Sequence, residues 1–264
     1  MTDAIPAPSL AVELPLHRAK RAAQAILPHV SDDDVTPVLT AANLTNGHLI
    51  GTDRYSVGRI RLSDSDTPPE RHTGNLAARI REESEESYEK RLQEWKDQHE
   101  VRYFVGGERV EESPEFMVPR AALQRVAGLN NRLLIHGKVM ERLARVRIEA
   151  WEPFTRGGRS GYNMLDVVLL DAGKPALRQT FLGVIGNFPQ VARLMDDWAP
   201  AEEGGTLNFS TWNLAKITRF ADRYDQVKLT PGKPREGERA RLAPTRLTIG
   251  DDFTALLQPN IELR

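Results

Sequence analysis

The chain of 264 residues contains no cysteine. That excludes a disulfide framework, a cysteine-ligated zinc or iron–sulfur centre and a thiol nucleophile together. No apolar run approaches the roughly 20 residues that a membrane-spanning helix needs. Residues 1–12 lack the basic start and long apolar stretch of a secretory signal. A cytoplasmic protein without membrane contact is expected. An excess of either charge is missing too. Lys+Arg total 36 against Asp+Glu 37, a formal net charge of -1. Binding to nucleic acid by bulk positive charge alone is therefore excluded, whereas a local basic stripe is not.

Catalytic signatures are just as scarce. The chain has no phosphate-binding Gly-x-x-x-x-Gly-Lys-Ser/Thr, no Gly-x-Gly-x-x-Gly after a strand and no Gly-x-Ser-x-Gly. Its six histidines, His17, His29, His48, His72, His99 and His136, include no His-x-x-x-His pair that would share a helix face for a metal. Gly157-Gly158-Arg159-Ser160-Gly161 lies between two strand-like runs and reads as a hairpin turn rather than a phosphate cradle. No catalytic residue, metal site or cofactor is assigned. The pattern points away from an enzyme and toward a binding or scaffolding protein.

What is present is a strand–helix–strands pattern that occurs about three times. Residues 10–14 alternate like a short strand, and residues 16–30 carry apolar side chains at helical spacing (Leu16, Ala19, Ala23, Ile26, Leu27, Val30). Residues 35–45 are apolar and β-branched, Asn46-Gly47 signals a tight hairpin, and residues 48–62 form the return. A second unit starts at residues 115–118. Pro119 marks its helix start and Gly128 its end, with strands at 145–151, 164–170 and 177–185. A third comprises strand 206–209, helix 212–224 and strands 227–230, 241–249 and 253–257. Short helices laid on long antiparallel sheet segments make an α+β plan. Residues 63–112 stand apart as an acid-rich insertion with a charged helix over about 76–98, read as packed lightly on its parent domain.

The three unit helices share a charge habit. Arg18, Lys20 and Arg21 crowd the outward face of the first, and Arg120 and Arg125 belong to the second. Lys216, Arg219 and Arg223 form one stripe on the third, opposite Leu214, Ile217 and Ala221. Any exposed helix carries some cations. Three that do so while acids gather in the insertion and loops are read as facing a phosphate backbone.

Four stretches, in order, resemble the bacterial DNA polymerase III beta subunit, the sliding clamp, and in particular a phage or actinobacterial relative. They are Gly51-Thr-Asp-Arg-Tyr-Ser-Val57, Phe116-Met-Val-Pro-Arg-Ala-Ala-Leu123, Gly186-Asn-Phe-Pro-Gln-Val-Ala-Arg-Leu194 and Asp252-Phe-Thr-Ala-Leu-Leu-Gln-Pro259. The order is similar to that family's middle domain followed by the closing half of its last. The resemblance implies the DNA-clamp (processivity) fold, with residues 1–200 as one clamp-like domain, insertion 63–112 included, and 201–264 as a second, shorter one. It also implies a non-enzymatic homo-oligomeric ring around duplex DNA, without sequence specificity. The partners would be a replicative DNA polymerase and a clamp loader, and the cations named above would face DNA. A partner-peptide pocket would be walled by Leu39, Thr52, Arg54, Tyr55, Ser56 and Val57, by Pro189, Arg193 and Leu194, and by Leu256, Leu257, Gln258 and Pro259. The competing expectation is a clamp-fold interaction module that forms no ring and modulates a host or phage replication protein.

Overall fold

The computed structural model describes residues 7–63, 84–130, 132–135, 138–141, 144–156, 159–202, 209–222, 225–233 and 243–258. Strand β1 (Leu10–Pro15) leads straight into helix α1 (Leu16–Ile26), which closes in a 3-10 turn at Leu27–His29. A second 3-10 turn (Pro37–Thr40) precedes the meander β2 (Ala41–Thr45), β3 (His48–Thr52) and β4 (Ser56–Arg61). Helix α2 (Glu85–His99) and the hairpin β5 (Arg102–Val105) and β6 (Glu108–Val110) follow. Strand β7 (Phe116–Pro119) then runs into α3 (Arg120–Ala127). After these come a small hairpin, β8 (Arg132–Ile135) and β9 (Lys138–Glu141), and the long β10 (Ala144–Arg156), β11 (Arg159–Asp171) and β12 (Lys174–Leu182). The last elements are α4 (Val191–Asp196), α5 (Thr211–Thr218), β13 (Val227–Thr230), β14 (Thr245–Ile249) and β15 (Phe253–Leu257).

The strands form two large antiparallel sheets. One has the order β12-β11-β10-β1-β5-β6, the other β13-β14-β15-β4-β3-β2-β7. Helices α1 and α3 lie with the main core, whose buried side chains include Leu14, Ala22, Ile26, Leu44, Leu123, Val146, Leu165 and Leu247. Both helices start directly from a strand through a proline, Pro15 and Pro119, at the N-cap. Neither proline has an N–H to leave unbonded there. The Asn46-Gly47 signal is met. Both residues have positive φ (48° and 70°), and Thr45 pairs with His48 across a two-residue hairpin. Arg156 pairs with Arg159 on either side of Gly157-Gly158, which themselves lie outside the described residues.

Several boundaries differ from the sequence reading. The first helix stops at Ile26 rather than residue 30, because Pro28 has no N–H to continue the ladder. Residues 37–40 form a 3-10 turn, not strand. In the insertion the described helix covers Glu85–His99, and residues 64–83 of the expected segment lie outside the described residues. Its hairpin β5–β6 was not expected; it extends the first sheet by pairing β5 with β1. Strand residues 206–208 and 241–242 likewise lie outside the described residues. No described helix is long and apolar enough to cross a membrane.

The C-terminal strands join the N-terminal unit twice. First, β15 pairs with β4, Phe253 opposite Ile60 and Leu257 opposite Ser56. Second, the β14–β15 turn is held by an ion-pair clasp. Asp252 receives Arg18 Nη1 at 2.7 Å and Arg21 Nε at 2.9 Å. Arg18 is 5% exposed, and its other nitrogens donate to the carbonyls of Arg61, Leu62 and Ser63. Burial pushes the Asp252 carboxyl up, but the hydrogen bonds and charges of Arg21 and Arg18 outweigh it and hold it below the usual carboxylate range. Removing one partner of a buried pair strands the others. Asp252→Ala should therefore cost on the order of 3–5 kcal/mol in denaturant unfolding. Asp225→Ala, which removes the more exposed partner of Arg21, should cost at most about 1 kcal/mol.

Candidate functional site

The cations expected on one surface are sorted by the fold. The 3-10 turn after α1, helix α3 and the segment containing α5 converge on a groove of about 450 Å³. Arg120, Lys216 and Arg219 line it together with Gln24, Gln124 and Asp222. Lys216 and Arg219 are exposed. Arg120 donates to the carbonyls of Leu27 (3.1 Å) and Val30, so it braces the groove wall as well as charging it. Arg125 and Lys20 are half-buried.

Arg18 and Arg21 depart from the expectation. Arg18 is buried in the clasp, and Arg21 is divided between Asp252 and Asp225 with its guanidinium 5.2 Å from the Phe220 ring centre. The physical reason is that α1 is a central helix. Arg18, Ala19, Ala22, Ala23 and Ala25 are all buried, so it has little outward face on which to carry cations. Arg223 lies outside the described residues.

A second surface forms around the β3–β4 turn. Asp53 Oδ1 accepts from the backbone N–H groups of Tyr55 (3.0 Å) and Ser56 (2.8 Å) and from Ser56 Oγ (2.9 Å). Thr52 Oγ1 donates to the Ser56 carbonyl at 2.9 Å. Arg54 takes a left-handed φ of 78°, and its guanidinium bonds Thr36 Oγ1. This tight turn projects Arg54 and Tyr55 outward, Tyr55 being 77% exposed. Its Tyr55 carbonyl accepts from Gln258 N at 3.1 Å, which ties the end of β15 to the turn.

Beside the turn, Val57 and Leu256 pair across β4 and β15. They pack with Ile50 and with Val191 and Met195 of α4 in a separate small core, flanked by Phe188 and Trp198. Helix α4 then presents Leu194, 46% exposed, and Arg193, which bonds Asp197 at 3.2 Å. Pro189 is exposed in the connector before α4, and Leu39 is buried in the second 3-10 turn.

The expected pocket set thus divides. Thr52, Val57 and Leu256 share one sheet face by cross-strand pairing. Ser56 and Leu257 pair with each other and point to the opposite face, Leu257 into the main core and Ser56 toward His29. This is the strand period of two, which places consecutive residues on opposite sides. Pro259 lies outside the described residues. The sequence reading missed α4 and its anchors. Val191 and Met195 stand at i, i+4, but one pair in six residues is a faint signal. It also missed Arg246, which lies 3.9 Å from the Trp198 ring centre and donates to the Met195 carbonyl at 3.1 Å.

Behind the turn sits His29, 0% exposed. Its Nδ1 is 2.8 Å from Ser56 Oγ. Because Ser56 Oγ donates to Asp53, the network assigns the proton to His29 Nδ1. The other nitrogen, Nε2, is buried with no hydrogen-bond partner. Burial lowers the pKa of His29 to about 4, against a raising effect of Asp53 and with a smaller lowering effect of Lys216. The native imidazole therefore refuses a proton that the unfolded chain accepts below about pH 6.5. Its contribution is fully present above pH 6.5 and is lost as pH falls toward 4. By pH 5 the loss is on the order of 2 kcal/mol. Burial also lowers the pKa of His48, which acts in the same direction. Thermal melts between pH 7 and 5 should show this fall, and His29→Leu should flatten most of it. An undiminished slope in that variant would place the loss elsewhere.

No family model matches the chain, and no curated protein matches it either. Solved structures do. The chain is similar to the DNA polymerase sliding clamp of Bacillus subtilis, with 13% identity and a TM-score of 0.53 over 98% of this chain and 67% of that one. It is similar to the Helicobacter pylori beta clamp bound to a DNA ligase peptide, with 9% identity and a TM-score of 0.54 over 99% and 68%. The DNA polymerase III subunit beta of Borrelia burgdorferi matches at 10% identity and a TM-score of 0.53 over 99% and 67%. Two antiparallel sheets, helices set against them and a shared architecture across nearly the whole length lead to one statement: the chain has the sliding-clamp fold of bacterial DNA polymerase III beta subunits.

Proposed function

We propose that the protein is a DNA sliding clamp, a non-enzymatic processivity factor that encircles duplex DNA as an oligomeric ring and tethers a replicative DNA polymerase. The observation that carries this reading is the convergence of Arg120, Lys216 and Arg219, from two separate parts of a clamp fold, on one groove. Exposed cations on helices attract phosphates without reading bases, which suits a ring that must move along DNA. Arg125, Lys20 and Arg223 belong to the proposed DNA-facing set, and Arg18 does not. In this reading residues 1–200 and 201–264 are two clamp-like units. A clamp loader opens and closes the ring in the cytoplasm.

The surface around Arg54, Tyr55, Leu194, Arg193 and Gln258 is the proposed peptide site. Exposed aromatic and aliphatic side chains with a polar rim suit a short extended segment. The DNA ligase peptide on the Helicobacter pylori clamp supports this use of the fold. A second reading, a clamp-fold interaction module that forms no ring, draws on the hairpin β5–β6, which occupies an edge of β1.

Mass photometry with and without primed circular DNA separates the two. The clamp reading expects an oligomer that stays on circular DNA and leaves when it is linearised. A monomer in both conditions favours the module. The double change Lys216→Ala and Arg219→Ala should reduce DNA retention and make the salt dependence shallower by about two counterions. Arg193→Ala, at an exposed position, should weaken binding of the ligase peptide with little change in melting temperature. Unaltered peptide affinity would move the site elsewhere.

A further inference from the structure

We propose that His29 is the positioning residue of the peptide site: it holds the Asp53–Ser56 turn, and through it Arg54 and Tyr55, in the shape that a partner peptide meets. This deepens the peptide-site reading above and rests on it for its functional meaning.

The turn's tip is exposed, Tyr55 at 77%, and is tied at its surface by the Arg54 bond to Thr36 and by the Gln258 N–H on the Tyr55 carbonyl. A further constraint comes from beneath. His29 Nδ1 bonds Ser56 Oγ, and the same hydroxyl passes its proton toward Asp53 Oδ1, the atom that gathers the turn's backbone N–H groups. The fold makes room for this ring at some cost. Gly51 and Gly58 pair across β3 and β4. A Cβ at position 58 would lie 2.4 Å from His29 Cδ2, and one at position 51 would lie 2.9 Å from Ile26 Cγ2. From the far side, Arg120 holds the carbonyls of Leu27 and Val30, the residues that bracket Pro28 and His29.

Stability alone does not explain an imidazole in this notch. Its Nε2 is buried without a partner, a cost that an aliphatic side chain of similar size would not carry. What an aliphatic side chain would lack is the bond to Ser56. Holding the Asp53–Ser56 backbone before a peptide arrives spares the ordering of that turn on binding, a saving that corresponds to about tenfold in affinity.

The test compares His29→Leu, His29→Gln and Ser56→Ala with the unaltered protein. Three quantities are read: melting temperature at pH 7.5, anisotropy of the fluorescein-labelled ligase peptide, and hydrogen exchange of the Tyr55 and Ser56 amides. His29→Leu should melt no lower than the parent, bind the peptide about tenfold more weakly and exchange those amides faster. His29→Gln, which keeps an N–H donor, should restore much of both. Ser56→Ala should show the same weaker peptide binding and faster amide exchange, with a lower melting temperature because it leaves the buried His29 Nδ1–H unpaired, and it carries the test if His29→Leu fails to fold. Parental peptide affinity and amide exchange in a folded His29→Leu or Ser56→Ala would overturn the proposal. So would an affinity loss that only follows a drop in melting temperature and that glutamine does not relieve. If the unaltered protein ignores the peptide, the peptide-site reading fails, while amide exchange still decides whether His29 fixes the turn.

Discussion

One carboxylate shared by two arginines holds the architecture together. Asp252 sits in the β14–β15 turn, and Arg18 and Arg21 reach it from α1. A buried guanidinium is tolerable only when its donors are used, and Arg18 uses its own on Asp252 and on the three carbonyls at the end of β4. The clasp therefore fixes three things at one point: the central helix, the end of the first meander and the last hairpin. Beside it, the pairing of β15 with β4 completes the seven-stranded sheet that runs without a break from β7 to β13. On that sheet, the apolar surface under α4 is assembled from strands at opposite ends of the chain.

Charge is handled locally elsewhere as well. On the first sheet Glu13, 3% exposed, meets Arg145 at 2.7 Å and Arg147 at 2.5 Å, and Glu149 and Asp166 share Arg178. Burial pushes the Glu13 carboxyl up, yet its arginines hold it below the usual range. These groups neutralise one another within the protein, so a net charge of -1 says little about the outer surfaces. The cations that remain at the surface are the informative ones, and two of them, Lys216 and Arg219, stand at the groove. The groove and the peptide-side turn also meet in a single element. The 3-10 turn at Leu27–His29 is gripped by Arg120 on one side and bonded to Ser56 on the other.

Much of the fold is legible in the sequence where a local signal is strong. Asn46-Gly47 marks its hairpin because both residues tolerate positive φ. The apolar residues at helical spacing mark α1, and the short apolar run at residues 253–257 marks a strand. The site is legible only in part. Arg18 and Lys216 look alike as letters, and partners far along the chain, Asp252 and the carbonyls of Arg61, Leu62 and Ser63, turn the first inward. Ser56 and Val57 are neighbours in one motif, yet the pleat sends them to opposite faces. His29 carries no signature at all. Its role depends on the space left by Gly58 in β4 and on a hydroxyl that sequence spacing does not bring near. Helix α4 is too short for periodicity to announce it.

The pairing of β15 with β4 also governs how the chain must come together. Residues 56–60 are made early, and their neighbours at 253–257 are made late. Until those neighbours arrive, β4 has a bare margin of backbone donors and acceptors, with Val57 and Ile60 beside it. Such margins recruit strands from other nascent chains. Loop closure over so long a separation is slow. An exposed margin of this kind is the point at which an incomplete chain is open to wrong pairing, and the arrival of residues 253–257 closes it.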